Sequence, residues 1–439
     1  MKTTIRFFSI VLAFLSVALT PKARGQLNPP PDGCYPNFTT AEGCDALNSL
    51  TSGSGNTGLG WEALFSDFDG SFNTGVGAGA LIFNNGNSNT AVGAGALLLN
   101  SSGTENVAVG ADALLYNIGG IFNTAVGTGA LFSNSDGTGN TGLGEGTLAS
   151  NASGSYNTAI GEFALNYNNG NDMGIGNNNT AVGAFALVFN GSGSSNTAMG
   201  NGALNFCTTG SFNVAIGEYA GAASAPSTGS FNIAIGDEAG TAVVNGSNII
   251  CIGAEVAGED VSDTTWIGNV YGVTTQSGTT APVIVSDTGQ LGTVASSERF
   301  KKDIATMASA SEAILSLRPV TFHYKSDTRG TPQFGLIAEE VAEINPALVL
   351  TDQGGKPYSV RYDAVNAMLL NEFLKEHRTV QEQAASIKQQ RKDFEAALAQ
   401  QQKEIHALTA TVKEQASQIH KVSQLIEIRE SALHLVTDN

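Results

Sequence analysis

The 439 residues exceed what one hydrophobic core usually holds, so more than one structural unit is predicted. Gly is abundant at 53, charged residues make up only 14%, and the net charge is −18. Residues 26–295 carry 20 acidic side chains and no Lys or Arg. A stretch without cations cannot neutralise phosphates, which argues against nucleic acid and against an anionic membrane surface as partners. All five His (His323, His377, His406, His420, His434) follow residue 295, so the acidic stretch has none for a triad or a His-rich metal site.

Residues 1–25 read as a secretory signal. Lys2 and Arg6 form a charged front, Phe7 to Leu19 an apolar run too short to span a bilayer comfortably, and Ala23-Arg24-Gly25 a small-residue cleavage context. No later segment has the length and apolarity of a membrane helix, so no transmembrane segment is expected after signal removal. A secreted or cell-surface location follows. Export permits disulfides, and Cys34 with Cys44 is the plausible pair. Cys207 and Cys251 fall at repeat positions otherwise small or apolar and read as buried fillers. No Cys spacing suggests zinc, and no cofactor or metal site is read anywhere in the chain.

After a linker over 26–36, residues 37–272 repeat a motif of the form Asn-Thr-Ala-Val-Gly-x-x-Ala-Leu. The leading Asn falls at 56, 73, 89, 106, 123, 140, 157, 179, 196, 213, 232 and 248. The interval is 17 residues in most copies and 22 after Asn157. Thr39 to Leu47 forms a degenerate first copy, and Trp266-Ile267-Gly268-Asn269 a closing rung. Two short strands and two turns per copy predict a β-roll or β-solenoid. Asn at a fixed corner is expected to tolerate left-handed backbone and to stack its amide along the axis, and Gly to supply positive φ at another. The insertion around Asp172-Met173-Gly174-Ile175-Gly176 should bulge and leave the stack in register. The motif resembles the head repeats of trimeric autotransporter adhesins, which implies a β-roll.

A glycosidase needs two carboxylates facing one cleft. Here Glu62, Asp112, Glu145, Glu162 and Glu218 are scattered singly and read as a solvated acidic face. The column Thr57, Thr74, Thr90, Thr124, Thr141, Thr158, Thr180 and Thr197 gives way to Val or Ile at 107, 214, 233 and 249, which reads as strand chemistry rather than an ice-binding face. The sequons at Asn37, Asn100, Asn151 and Asn190 are expected by chance. A cell-surface or glycan ligand stays open, its identity unread.

Residues 273–295 read as a neck, with Val283-Ile284-Val285 and Leu291-Gly292-Thr293-Val294 flanking an Asp/Gly turn. Next comes Ser296-Ser297-Glu298-Arg299-Phe300-Lys301-Lys302-Asp303-Ile304. A serine hydroxyl needs a neighbour to take its proton, and a neutral lysine can do so. Ser296 with Lys301 and Ser297 with Lys302 share one spacing, and spacing alone does not separate them.

This stretch resembles the opening signature of the endosialidase-type C-terminal intramolecular chaperones. Further landmarks are Leu315-Ser316-Leu317-Arg318-Pro319, Gly335-Leu336-Ile337-Ala338-Glu339-Glu340-Val341 and Tyr358-Ser359-Val360-Arg361-Tyr362, so the likeness covers roughly 283–375. It implies a homotrimeric tail-spike or fibre-like protein whose chaperone segment is released by autocatalytic serine cleavage. Arg299, Phe300, Lys301 and Ile304 set the register, which makes Ser296 the nucleophile and Lys301 the base. Ser297 stands where the family usually has Asp. The scissile bond involves Ala295, Ser296 and Ser297. Attack on the Ala295 carbonyl through a five-membered ring is favoured, and cleavage on the other flank stays open. His323 and Glu339 are expected to be structural, His323 as a packed strand residue. The alternative is a non-cleaving trimeric surface binding protein that keeps its C-terminal knob.

From about Asp363 a helix is predicted. One seam holds Phe373, Val380, Ile387, Phe394, Leu408 and Val422, and the other Leu370, Ala384, Leu398, Ile405, Val412, Ile419 and Ile426. Gln401, Gln415, His377 and Arg391 interrupt them. This pattern predicts a trimeric coiled coil over 366–430, after a chaperone domain over 296–365 and before a tail over 431–439. The fold class is mainly β: a repetitive β-solenoid rod, then a small α+β domain, then a helical coiled coil.

Overall fold

The computed structural model describes residues 36–168, 176–352 and 354–437. The expected signal, Cys34 and most of the 172–176 bulge lie outside them. The chain divides into two units, residues 1–280 and 281–439.

In the first unit, strands β1 (Thr40–Glu42) to β14 (Thr265–Ile267) form one 14-stranded sheet in sequence order. Adjacent strands are parallel and in register, as in Thr124 opposite Thr141. The register holds across the longest interval, where Thr158 faces Thr180. The degenerate first copy and the closing rung both take their places.

Each coil contributes one strand of three residues, not two. Its middle residue is small and faces inward, as Ala125 does with no exposed surface. The Ala-Leu half of the coil is turn, because Leu131 sits at φ 54° and its equivalents lie close by. Left-handed backbone cannot continue a strand. The turns still bond from coil to coil, as when the Leu131 N–H donates to the Thr147 carbonyl at 2.8 Å. This explains why the column holds Leu, then Gly221 and Gly240, and never a β-branched residue. The core is therefore a stack of Ala and Leu, with Ala108, Leu114, Ala125, Leu131 and Ala130 all fully buried. At Gly127 a Cβ would lie 2.5 Å from the Gly144 carbonyl oxygen, so Gly at that corner (φ 138°) meets a steric need as well as a torsional one.

The leading Asn column is not left-handed. That conformation belongs to the residue before it, such as Phe122 at φ 59°. The Asn itself is buried, because its amide serves the next coil. Asn248 is not the leading residue of its copy: it holds the left-handed place, and Ile249 takes the Asn position, its backbone N–H donating to Asn232 Oδ1 at 2.8 Å.

The outward strand positions carry Thr, Val, Ile, Leu or Met from Thr57 to Ile267, with no charged residue. Thus Leu143 is 46% and Ile216 40% exposed. Of the acids read as solvated, Asp112, Glu145, Glu162 and Glu218 are exposed, but Glu62 is buried, and its carboxyl is pushed up by that burial and by Asp45. Asn100, Asn151 and Asn190 are fully buried, so the folded coils hide those sequons.

The second unit begins with the hairpin β15 (Ile284–Val285) and β16 (Leu291–Gly292), closed by Gly289 at φ 84°. Two further antiparallel pairs follow, β17 (Val320–Phe322) with β18 (Gln333–Gly335) and β19 (Val349–Thr351) with β20 (Pro357–Val360). Helix α1 (Ala338–Ile344) lies between them in sequence. Its core is small: Val341, Leu348, Val360 and Met368 are buried, with Ile314 and Leu336 packed against them. His323 lies one residue past β17 and is exposed, so it is not a packed strand residue. Helix α2 (Tyr362–Thr437) is continuous. Its apolar seam faces water in the single chain, Phe394 at 70% and Leu408 at 68% exposure.

Candidate cleavage site

The hairpin hands the chain to a run without regular secondary structure, residues 293–296, and Ser297 is extended (φ −63°, ψ 139°). A 3-10 turn, Glu298–Phe300, then reverses it. The Lys301 N–H donates to the Glu298 carbonyl at 2.9 Å, and the Phe300 N–H to the Ser297 carbonyl at 3.0 Å. That turn shortens a five-residue separation enough for Lys301 Nζ to donate to Ser296 Oγ at 3.2 Å. The turn's N-cap is Ser297, whose side chain makes no capping bond. Ser297 and Lys302, the other pair of equal spacing, form no hydrogen bond with each other among the described residues. The geometry thus joins Ser296 to Lys301 and leaves the second pair apart. Ala295 sits beside Ser296 in sequence, and all of these residues are exposed. The Arg299 guanidinium lies 4.6 Å from the centre of the Phe300 ring.

The body behind the site is tied to α2 through a cluster that sequence reasoning missed. Ser311, fully buried on the 3-10 segment Ala308–Ser316, donates to Glu372 and accepts from Asn371 Nδ2 at 2.7 Å. Lys375 Nζ donates to Glu372 at 2.8 Å and to Glu312 at 3.3 Å. The lysine bond, then the serine, hold the Glu372 carboxyl below its usual range. Arg318 pairs with Glu340 through two guanidinium nitrogens. No periodic signal marks Ser311, because its partners lie some 60 residues away.

The solenoid holds a second missed feature. Asn84, Asn100, Asn117, Asn134, Asn151, Asn168 and Asn190 form a second buried ladder, amides donating to the previous coil as from Asn117 Nδ2 to Asn100 Oδ1 at 2.8 Å. The signal was present: each lies 11 residues after a leading Asn. Asp67 opens this ladder and Cys207 closes it. Cys207 therefore replaces a buried polar residue, not a small or apolar one, whereas Cys251 stands in the Ala column. Both are free and buried, and burial pushes the Cys207 thiol up to about 11. Cys44 is exposed and has no disulfide partner among the described residues, and Cys34, its expected partner, lies outside them. Among the described residues no three metal-ligating side chains cluster, and no helix is long and apolar enough to cross a membrane.

The fold and this seam define a β-solenoid protein with a separate C-terminal folding segment. Residues 296–350 match the family model described as chaperone of endosialidase, which makes that segment an endosialidase-type C-terminal chaperone. The match opens on Ser296 itself. No curated protein and no solved structure matches the chain.

Proposed function

We propose that this is an exported homotrimeric fibre-like protein whose C-terminal chaperone aligns three solenoids and then leaves by self-cleavage at Ser296. The observation that carries the reading is the Lys301–Ser296 contact at the first residue of the family match. Ser296 Oγ attacks the Ala295 carbonyl carbon while Lys301, in its neutral form, takes the hydroxyl proton. The C–N bond breaks, the proton passes to the departing amine of Ser296, and Ala295 is left as an ester on Ser296 Oγ. Water then hydrolyses that ester, giving an Ala295 carboxylate and a chain that begins at Ser296.

A lysine is a base only when desolvated or crowded by cations. In one chain Ser296 and Lys301 are open to water, so closure of the trimer supplies the missing burial and delays the cut until assembly. Two surfaces support the trimer. The α2 seams are exposed in the single chain and repeat at alternating spacings of three and four. The outward strand face from Thr57 to Ile267 lacks charge, so three acidic solenoids can approach there without burying a carboxylate. Parallel stacking of long-range coils is slow and open to register slips, which gives a templating helix a physical purpose. Its removal then leaves the fibre kinetically trapped.

Mass spectrometry of the purified chain beside Ser296→Ala and Lys301→Ala tests the cut. The expected wild-type product is a fragment of residues 296–439, absent from both variants. Equal intact mass in all three would remove the protease claim and leave the retained-knob reading, for which the exposed geometry of the single chain is sufficient.

A further inference from the structure

Residues Leu370, Phe373, His377, Val380, Ala384 and Ile387 alternate by three and four along an unbroken helix. That alternation puts His377 in the apolar seam, between layers of Phe373 and Val380, which are 64% and 50% exposed in one chain. The other described helix histidines, His406 and His420, each fall one place after a seam Ile and so lie off it.

We propose that three copies bring their His377 imidazoles together on the axis of the coil and form a divalent-metal site of the zinc class. This rests on the trimeric reading above. Zinc is held well by three neutral imidazoles with one position left to water, a set that a parallel three-stranded coil delivers from one residue per chain. Without a ligand, three imidazoles buried between apolar layers leave polar nitrogens short of partners, which is costly. A metal ion satisfies all three at once.

The local geometry suits that role. The His377 ring lies nearly parallel to Phe373, 6.3 Å between centres and 12° between planes, so one neighbour fixes its plane. Gln381 Nε2 donates to His377 Nε2 at 3.0 Å, which keeps that nitrogen unprotonated with its lone pair available, and a metal bound there would replace this bond. Glu376 and Arg378 flank it in sequence, off the seam, and Lys375 is already paired with Glu372 and Glu312. The site would lie about one and a half turns beyond the Ser311–Asn371–Glu372 cluster, at the root of the coil.

The test uses the full chain carrying Ser296→Ala, so that the helix stays attached, freed of metal by chelator and titrated with zinc in a calorimeter. The expected result is saturation at one zinc per three chains with a raised melting temperature. His377→Ile, added to that chain, should keep the trimer and abolish both effects, whereas His406→Ala should change neither. A monomeric chain by light scattering would sink the assembly reading and the site with it. A trimer that binds no zinc, binds at another stoichiometry, or still binds one per three chains after His377→Ile would overturn the site alone.

Discussion

Asn106 Oδ1 accepts two hydrogen bonds from Asn123, one from its backbone N–H at 3.0 Å and one from its Nδ2 at 3.1 Å. Asn123 repeats the service for Asn140, whose N–H donates to Asn123 Oδ1 at 2.9 Å. Asn123→Ala strands the buried Asn140 N–H, while the Gly137 carbonyl keeps its bond from Asn134 Nδ2. An unsatisfied buried group costs about 1–3 kcal/mol, so a loss of that size is expected in urea unfolding. Ser133→Ala, at a half-buried position, should change little.

Leu131 is fully buried with φ 54°. Leu131→Ile keeps the volume but puts a β-branched side chain in left-handed backbone. Leu already bears the general cost of that conformation, but a β-branched Cβ tolerates it less well, so the loss should exceed the usual repacking cost, typically below about 1.5 kcal/mol. Val126→Ile, on the outward strand position, should be nearly neutral. Thermal unfolding of the two variants side by side checks the contrast, and equal melting temperatures would refute the conformational cause.

Asp67 is buried where later coils hold Asn, and that burial pushes its carboxyl up to about 6 despite bonds from the Gly70 N–H and Asn73. The folded chain therefore binds this proton more tightly than the unfolded chain does. Stability contributed by the protonated acid is full below the ordinary value of 3.8 and is lost as pH rises through about 6. Asp67→Asn should stabilise the first coils by up to about 3 kcal/mol above neutrality, at about 1.4 kcal/mol per pH unit, and by nothing in strong acid. Protease protection of those coils measured across pH would show the two chains converging as pH falls.

Ser297→Ala and Lys302→Ala should leave self-cleavage intact, because only Lys301 reaches a serine hydroxyl across the turn. Lys301→Arg should abolish it, since a guanidinium does not give up its proton. Denaturing gels of the four chains, with the fragment's first residue identified, provide the measurement. Continued cutting in Lys301→Arg would disprove the base assignment.

The period, the parallel stack, the Gly corner, the hairpin before Ser296 and the long helix were legible in the residues alone. Each is set by local chemistry that repeats at a fixed spacing or by a turn residue with one conformational role. Leu131 and Phe122 show where that legibility stops. Their left-handed backbone is imposed by hydrogen bonds to neighbouring coils, which removes the second strand and moves the special conformation off the Asn. The second Asn ladder repeats as regularly as the first, but only the fold shows that both point inward, because burial depends on how a coil closes. Likewise, the sequence left two Ser–Lys pairs of equal spacing, and a single 3-10 turn brings Lys301 to Ser296 alone. The sequence determined which residues recur and what each can do. Tertiary structure decided which of them meet, since contact between distant residues depends on chain closure and not on spacing.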